Sequence, residues 1–274
     1  RRIRNTFRFI MGNLNDFDEV SNNINKNDLV EIDKWIISEA IKLHEEIQEL
    51  NDNYAYHHVI QKIHNFCVHE LGGVYLDIIK DRMYVTKSNS NARRSAQFAL
   101  FEVADILIRL ISPILVFTAE EIWQSHELFK KQSASIFMAP QKIVSERESS
   151  ISDEDWKKIF AVKDAVNQSI EKARADSVIK GSLDSKIIIS CDKKTYKALE
   201  KIEDELKFVF ISSEVEIAES SSSKLDIEVI NFDQKKCIRC WNKCSSVGLY
   251  VEDPEICSRC YTNVYGDGEI RKFV

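Results

Sequence analysis

Along the first half of the chain apolar residues recur every three to four positions. Ile3, Phe7, Ile10 and Leu14 make one stripe, with Arg1, Arg4 and Arg8 opposite, which is the period of an amphipathic helix. A second stripe runs Leu29, Ile32, Ile36, Ala40, Leu43, Ile47, Leu50; Asp28 with Glu31 three residues on offers a capping box at its start, and Asn51-Asp52-Asn53 stops it. A third runs from about Tyr54 to Tyr84 with Ile60, Ile63, Cys67, Leu71, Val74 and Ile78 inward, and Gly72-Gly73 should weaken or bend it. After the polar stretch Thr86 to Asn91, a strongly apolar helix carries Phe98, Phe101, Ile106, Leu107 and Leu110 up to Ser112-Pro113. Proline there suits the first turn of a new helix, and Thr118 to Glu121 is a further possible cap before Ile122-Trp123. Five helical segments with short polar connections predict an antiparallel helical bundle over residues 1–140.

The pattern then changes. Gln141 to Ser152 is polar and reads as a linker, and Ser152 to Asp155 opens a helix bearing Trp156, Ile159, Val162, Val166, Ile170 and Ala173, ended by Gly181. A β-branched run from Lys186 to Cys191, a charged helix from about Lys194 to Lys207, and strand-like pieces at Val209 to Ala218 and Leu225 to Ile230 make a small α+β unit over 152–232. Residues 233–274 form a third part, a zinc-finger tail on the reading below. The predicted class is mainly α.

Composition agrees: seven Gly and three Pro in 274 residues are too few turn formers for an all-β barrel or sandwich. No apolar run approaches the roughly 18 residues that span a bilayer, and Arg-Arg-Ile-Arg at the start lacks both an initiator Met and a signal-peptide core. The expectation is a soluble, cytoplasmic, monomeric chain that does not engage a membrane and begins partway through something longer. The net charge of −6 argues against coating nucleic acid by bulk electrostatics. Locally the balance is −2 over residues 1–145, −5 over 146–232 and +1 over 233–274, so the tail is the one positive part.

That tail also holds five of the seven cysteines. Cys237-x-x-Cys240 and Cys257-x-x-Cys260, sixteen residues apart, have the spacing of a four-thiolate zinc site with no open position, hence structural. Cys244 could substitute as a ligand only by abandoning the paired spacing, and Cys67 and Cys191 lie in apolar patterns as packing residues. Four thiolates around zinc leave a charge near −2, which Lys235, Lys236, Arg239, Lys243 and Arg259 either offset or flank while facing phosphate. Trp241 is either the apolar plug of the lobe or an exposed platform for a base. His44, His57, His58 and His64 sit on polar faces, and His69-Glu70 lacks the second His of a zinc protease helix. With no phosphate loop and no nucleophile beside a base, no residue is assigned a catalytic role.

Arg1-Arg2-Ile3-Arg4-Asn5-Thr6, Tyr75-Leu76-Asp77-Ile78-Ile79-Lys80-Asp81-Arg82, Ala92-Arg93-Arg94-Ser95 and Phe117-Thr118-Ala119-Glu120-Glu121-Ile122-Trp123, followed by the paired cysteines with Trp241 and Gly266-Asp267-Gly268-Glu269, resemble the anticodon-binding helical domain and C-terminal zinc finger of bacterial isoleucyl-tRNA synthetases. The resemblance implies one structural zinc on Cys237, Cys240, Cys257 and Cys260, and contacts to the anticodon stem-loop of isoleucine tRNA. Candidates for those contacts are Arg1, Arg2, Arg4, Asn5, Lys80, Arg82, Arg93, Arg94, Arg239, Trp241, Lys243 and Arg259. It implies a catalytic domain N-terminal to this region that uses ATP and Mg2+, none of whose signatures occurs here, so this fragment alone should be inactive. Gly72-Gly73 and Cys244 stand outside the family pattern. From a different class, the chain could be a helical scaffold with a zinc ribbon for protein–protein contact.

Overall fold

A computed structural model describes residues 1–18, 24, 28–140, 142, 148–222 and 224–274; part of the expected linker, at 141 and 143–147, lies outside them. In chain order the helices are α1 (Arg2–Asn13), α2 (Glu31–Asp52), α3 (Tyr56–Phe66), a π-helical stretch Cys67–Tyr75, α4 (Leu76–Ile78), α5 (Lys80–Val85), α6 (Asn91–Ile111), α7 (Val116–Ser125), α8 (Glu127–Lys130) and α9 (Asp153–Ala175). Then follow β1 (Ser185–Cys191), α10 (Lys193–Glu200), α11 (Leu206–Phe210), β2 (Glu214–Glu219), β3 (Asp226–Asn231) and α12 (Ser258–Tyr265). The protein is mainly helical, and the chain divides into two compact units, Arg1–Ile79 with Asn91–Ser149, and Lys80–Ser90 with Ser150–Val274.

The first unit is built around α6, whose residues are buried on nearly every side, including Gln97 and Asp105. A helix can be covered all round only at the centre of a bundle. It packs against α2, and α1 presents the expected stripe Ile3, Phe7, Ile10 and Leu14 to the core while Arg1, Arg4 and Arg8 face outward. The capping box expected at Asp28 does not form. The helix begins at Glu31 after an extended Val30, and no side chain caps it. Asp33 instead turns inward, where its fully buried carboxylate accepts hydrogen bonds from Tyr75 (2.7 Å) and Ser95 (2.5 Å); a buried carboxylate needs such partners.

The single helix expected over 54–84 is broken into α3, the π turn, α4 and α5. At Gly72 a Cβ would stand 2.7 Å from the Cys67 carbonyl and 3.1 Å from the Arg2 guanidinium, so the missing side chain is what permits the widened turn. Pro113 lies in a turn before α7 rather than in its first turn, and Thr118 falls inside that helix.

In the second unit α9 opens as expected, the Ser152 hydroxyl accepting the Asp155 N–H at 3.2 Å, and buries Trp156, Ile159, Val162, Val166, Ile170 and Ala173. It ends at Ala175, six residues before the expected Gly181. The sheet has order β2-β1-β3, with β1 parallel to β2 and antiparallel to β3. A parallel pair needs a crossover, which α10 and α11 provide; hence Val209 and Phe210, expected in a strand, end a helix, and Ile211 turns the chain left-handed at φ 53° before β2. The charged helix expected over 194–207 likewise stops at Glu200.

Candidate functional site

The paired cysteines lie in the second unit. Around the first pair the chain folds into a tight knuckle: the Trp241 N–H reaches the Cys237 carbonyl at 2.9 Å, the Cys237 N–H reaches the Asn242 carbonyl at 2.9 Å, and Lys236 and Lys243 bridge antiparallel. The second pair starts α12, with Cys257 at its N-cap and the Tyr261 N–H on the Cys257 carbonyl. Spacing of two residues lets both sulfurs of each turn converge.

All four sulfurs are buried and lie within 4.8 Å of one another. Cys237 and Cys260 sulfurs are 3.7 Å apart, as are those of Cys240 and Cys257, well beyond the roughly 2.05 Å of a disulfide. A tetrahedral ion at a metal–sulfur distance of about 2.3 Å sets its ligand sulfurs about 3.8 Å apart; the four cysteines could therefore hold a metal ion. Cys244 is outside the group, its sulfur 3.4 Å from the Ser246 hydroxyl. Cys67 and Cys191 are buried packing residues, and burial pushes the Cys67 thiol up to about 12.

The plug of the lobe consists of Val85, Val247 and Ile256 packed with the four cysteines. Trp241 is not part of it: the side chain is 63% exposed, on a backbone at φ 65°. A bulky residue in the left-handed region costs roughly 1–2 kcal/mol, so the ring is held outward at the expense of local strain. Tyr265 is also exposed, and Tyr261 stacks on Tyr250 with centroids 3.7 Å apart.

Two cations of the lobe turn inward, one to sulfur and one to carboxylate. Arg239 donates to the Val85 carbonyl at 2.6 Å and to the Cys260 sulfur at 3.8 Å. Arg259 grips Asp81 with both nitrogens (2.6 and 2.9 Å) and reaches Glu269 at 3.3 Å. Asp81 also receives Arg271 at 2.9 Å, and Arg271 lies over the Phe208 ring at 3.1 Å from its centroid. Burial works against the charge on Asp81, but Arg259 and Arg271 outweigh it and hold its carboxyl below the ordinary value. Lys243 bonds Asn231 at 2.9 Å, Arg82 is fully buried, and Lys80 is exposed.

Within the first unit, Arg1, Arg2 and Asn5 are exposed on α1, and Arg4 pairs with Glu121. Arg93 holds Asp16 through both nitrogens (2.6 and 3.0 Å), and Arg94 donates to the Asp16 carbonyl and Gln97, each at 2.7 Å. Partial burial opposes the charge on Asp16, yet hydrogen bonds from Arg93 and Gln97 and the charges of Arg93 and Arg94 hold its carboxyl below the ordinary value. Sequence reasoning did not find the Asp81–Arg259–Glu269–Arg271 cluster; its members stand up to 190 residues apart and carry no local pattern.

Among the described residues, no helix is long and apolar enough to cross a membrane. Over its whole length the chain is 40% identical to an isoleucine–tRNA ligase of Alcanivorax borkumensis and 41% identical to one of Shewanella halifaxensis, in each case matching 30% of that protein. One of Teredinibacter turnerae is 39% identical over the same share. The chain thus spans about three-tenths of the length of these relatives. The family model described as the anticodon-binding domain of tRNA ligase matches residues 33–189. With more than half of its residues inside that model, the chain belongs to the anticodon-binding domain family of tRNA ligases.

Proposed function

We propose that this chain is the tRNA-binding C-terminal region of an isoleucine–tRNA ligase, holding the anticodon stem-loop of isoleucine tRNA while a catalytic domain elsewhere in the enzyme attaches isoleucine with ATP and Mg2+. The observation that carries the reading is a four-cysteine lobe and an anticodon-binding match in one chain whose relatives are isoleucine–tRNA ligases. The ion is zinc, bound by Cys237, Cys240, Cys257 and Cys260; four soft thiolates in a closed tetrahedron suit it best. Residues 1–140 place the tRNA, 152–232 join the parts, and 233–274 read the loop.

Of the candidate contacts, Arg1, Arg2, Arg4 and Asn5 at the start of α1 lie at the surface, as do Lys80 and Trp241. Bases of a loop are read best by aromatic platforms, and Trp241 is the most exposed tryptophan or tyrosine of the lobe. The protein is a cytoplasmic monomer on this reading. Titrating labelled isoleucine tRNA against an unrelated tRNA at varied salt tests it: preference for isoleucine tRNA, with a slope that falls by about 0.7 to 0.9 for each phosphate contact removed, supports it. Equal binding of both tRNAs refutes it. The isolated chain should also fail to exchange pyrophosphate into ATP in the presence of isoleucine.

A further inference from the structure

The cysteine lobe is not held to the second unit by its own sequence alone. Lys80–Ser90 belongs to the same compact unit although some 150 residues separate it from the cysteines. Val85 is a member of the apolar cluster around the sulfurs. Asn263 accepts the Lys87 N–H at 3.3 Å, and the Lys87 ammonium reaches the Gly266 carbonyl at 3.0 Å. The strongest ties, though, run through two arginines of the lobe. Arg239 bonds the Val85 carbonyl and the Cys260 sulfur with the same nitrogen, and Arg259, which stands between Cys257 and Cys260 in sequence, bonds Asp81 through both nitrogens.

We propose that Arg239 and Arg259 are positioning residues of the metal centre, Arg239 through the Cys260 sulfur and Arg259 through its grip on Asp81, tying the filled centre to the segment Lys80–Ser90, so that metal binding orders that segment. The proposal rests on the zinc reading above. A zinc ion with four thiolates carries a formal charge near −2, and the Arg239 guanidinium at the Cys260 sulfur offsets part of it where the lobe is buried and the dielectric is low. Arginine suits the task because its guanidinium is always charged and carries several N–H donors, so that one nitrogen serves a sulfur and an oxygen together. Neither arginine has to meet RNA to explain its position. Partners of this outer kind typically alter metal affinity by about 10- to 100-fold when removed.

The test uses the whole 274-residue chain, zinc and a competing chelator. Wild type is measured first; if it holds no zinc, the zinc reading fails, whatever the arginines do. With zinc present, Arg239→Met and Arg259→Met should weaken it by about 10- to 100-fold, Arg239→Lys should recover part of the loss, and Lys272→Met, which removes an exposed charge from the same tail, should stay within about twofold of wild type. Because Arg259→Met leaves Asp81 buried without its main partner, Arg259→Met with Asp81→Asn serves if the single variant does not fold. In the cobalt-substituted protein the thiolate-to-metal charge-transfer band should move in Arg239→Met and not in Lys272→Met. Hydrogen exchange at residues 80–90 should speed up on metal removal while α9 stays protected. Zinc affinities of both arginine variants equal to wild type, or unchanged exchange at 80–90, would overturn the proposal.

Discussion

Replacing Gly72 with alanine separates the ordinary behaviour of a helical glycine from what this position demands. In a helix interior, glycine to alanine is worth about 1 kcal/mol in favour of the folded state, because glycine loses more backbone freedom on folding. Gly12, near the end of α1, is the matching control: nothing stands within 4 Å of where its Cβ would go. Gly12→Ala should therefore stabilise by about 0.5–1 kcal/mol. At Gly72 the new carbon would sit 2.7 Å from the Cys67 carbonyl oxygen, a backbone atom that moves only with the whole turn, and 3.1 Å from the Arg2 guanidinium. Such overpacking costs about 1–3 kcal/mol, offsetting or outweighing the intrinsic gain, so Gly72→Ala should destabilise by up to about 2 kcal/mol net. Arg2 should be displaced with it, weakening tRNA binding if Arg2 contacts phosphate. Urea titrations followed by helical circular dichroism, with the three proteins compared at equal slope, give the two differences with opposite signs. A Gly72→Ala protein as stable as Gly12→Ala would mean that the π turn relaxes to α at no cost, and the account of the close approach would be wrong.

Metal analysis of protein prepared without chelator should give one zinc per chain, Cys244→Ser should keep it, and stripping it should unfold the tail while α2 and α6 survive; substoichiometric zinc refutes the assignment. Asp16→Asn should remove a stabilising contribution that in the wild type is present above the ordinary carboxyl value of 3.8 and disappears as pH falls through the lowered folded value; the same variant removes the carboxylate that Arg93 grips with both nitrogens, and if it leaves tRNA affinity unchanged while shifting the acid unfolding limb, that grip serves the fold. Trp241→Gly removes both the ring and the left-handed strain, so it should retain zinc, lose no stability in a urea titration, and bind anticodon-altered and native isoleucine tRNA alike. Normal discrimination by that variant would place the reader of the anticodon elsewhere.

Much of this protein was legible from one dimension. The stripe Ile3 to Leu14, the buried face of α9, the Ser152 cap and the convergence of two CxxC turns all depend on residues within a turn or two of each other, where local geometry follows from spacing. The misplacements share a different cause. The cap expected at Asp28 is absent, and Asp33 of the first turn is held instead by Tyr75 and Ser95, 42 and 62 residues away. Val209 and Phe210 have the β-branched and aromatic character of a strand, yet a parallel pairing of β1 with β2 requires the chain to cross over there, and the Lys163 ammonium takes the Val209 carbonyl at 2.7 Å. The positive charges of the tail looked interchangeable in sequence. Tertiary structure sorted them, turning Arg239 and Arg259 to sulfur and carboxylate and leaving Trp241 outward. Spacing can bring ligands to one point, but whether a cation faces the interior or the solvent depends on which counter-charge the rest of the chain buries beside it, and Asp81 reaches Arg259 across 178 residues of sequence.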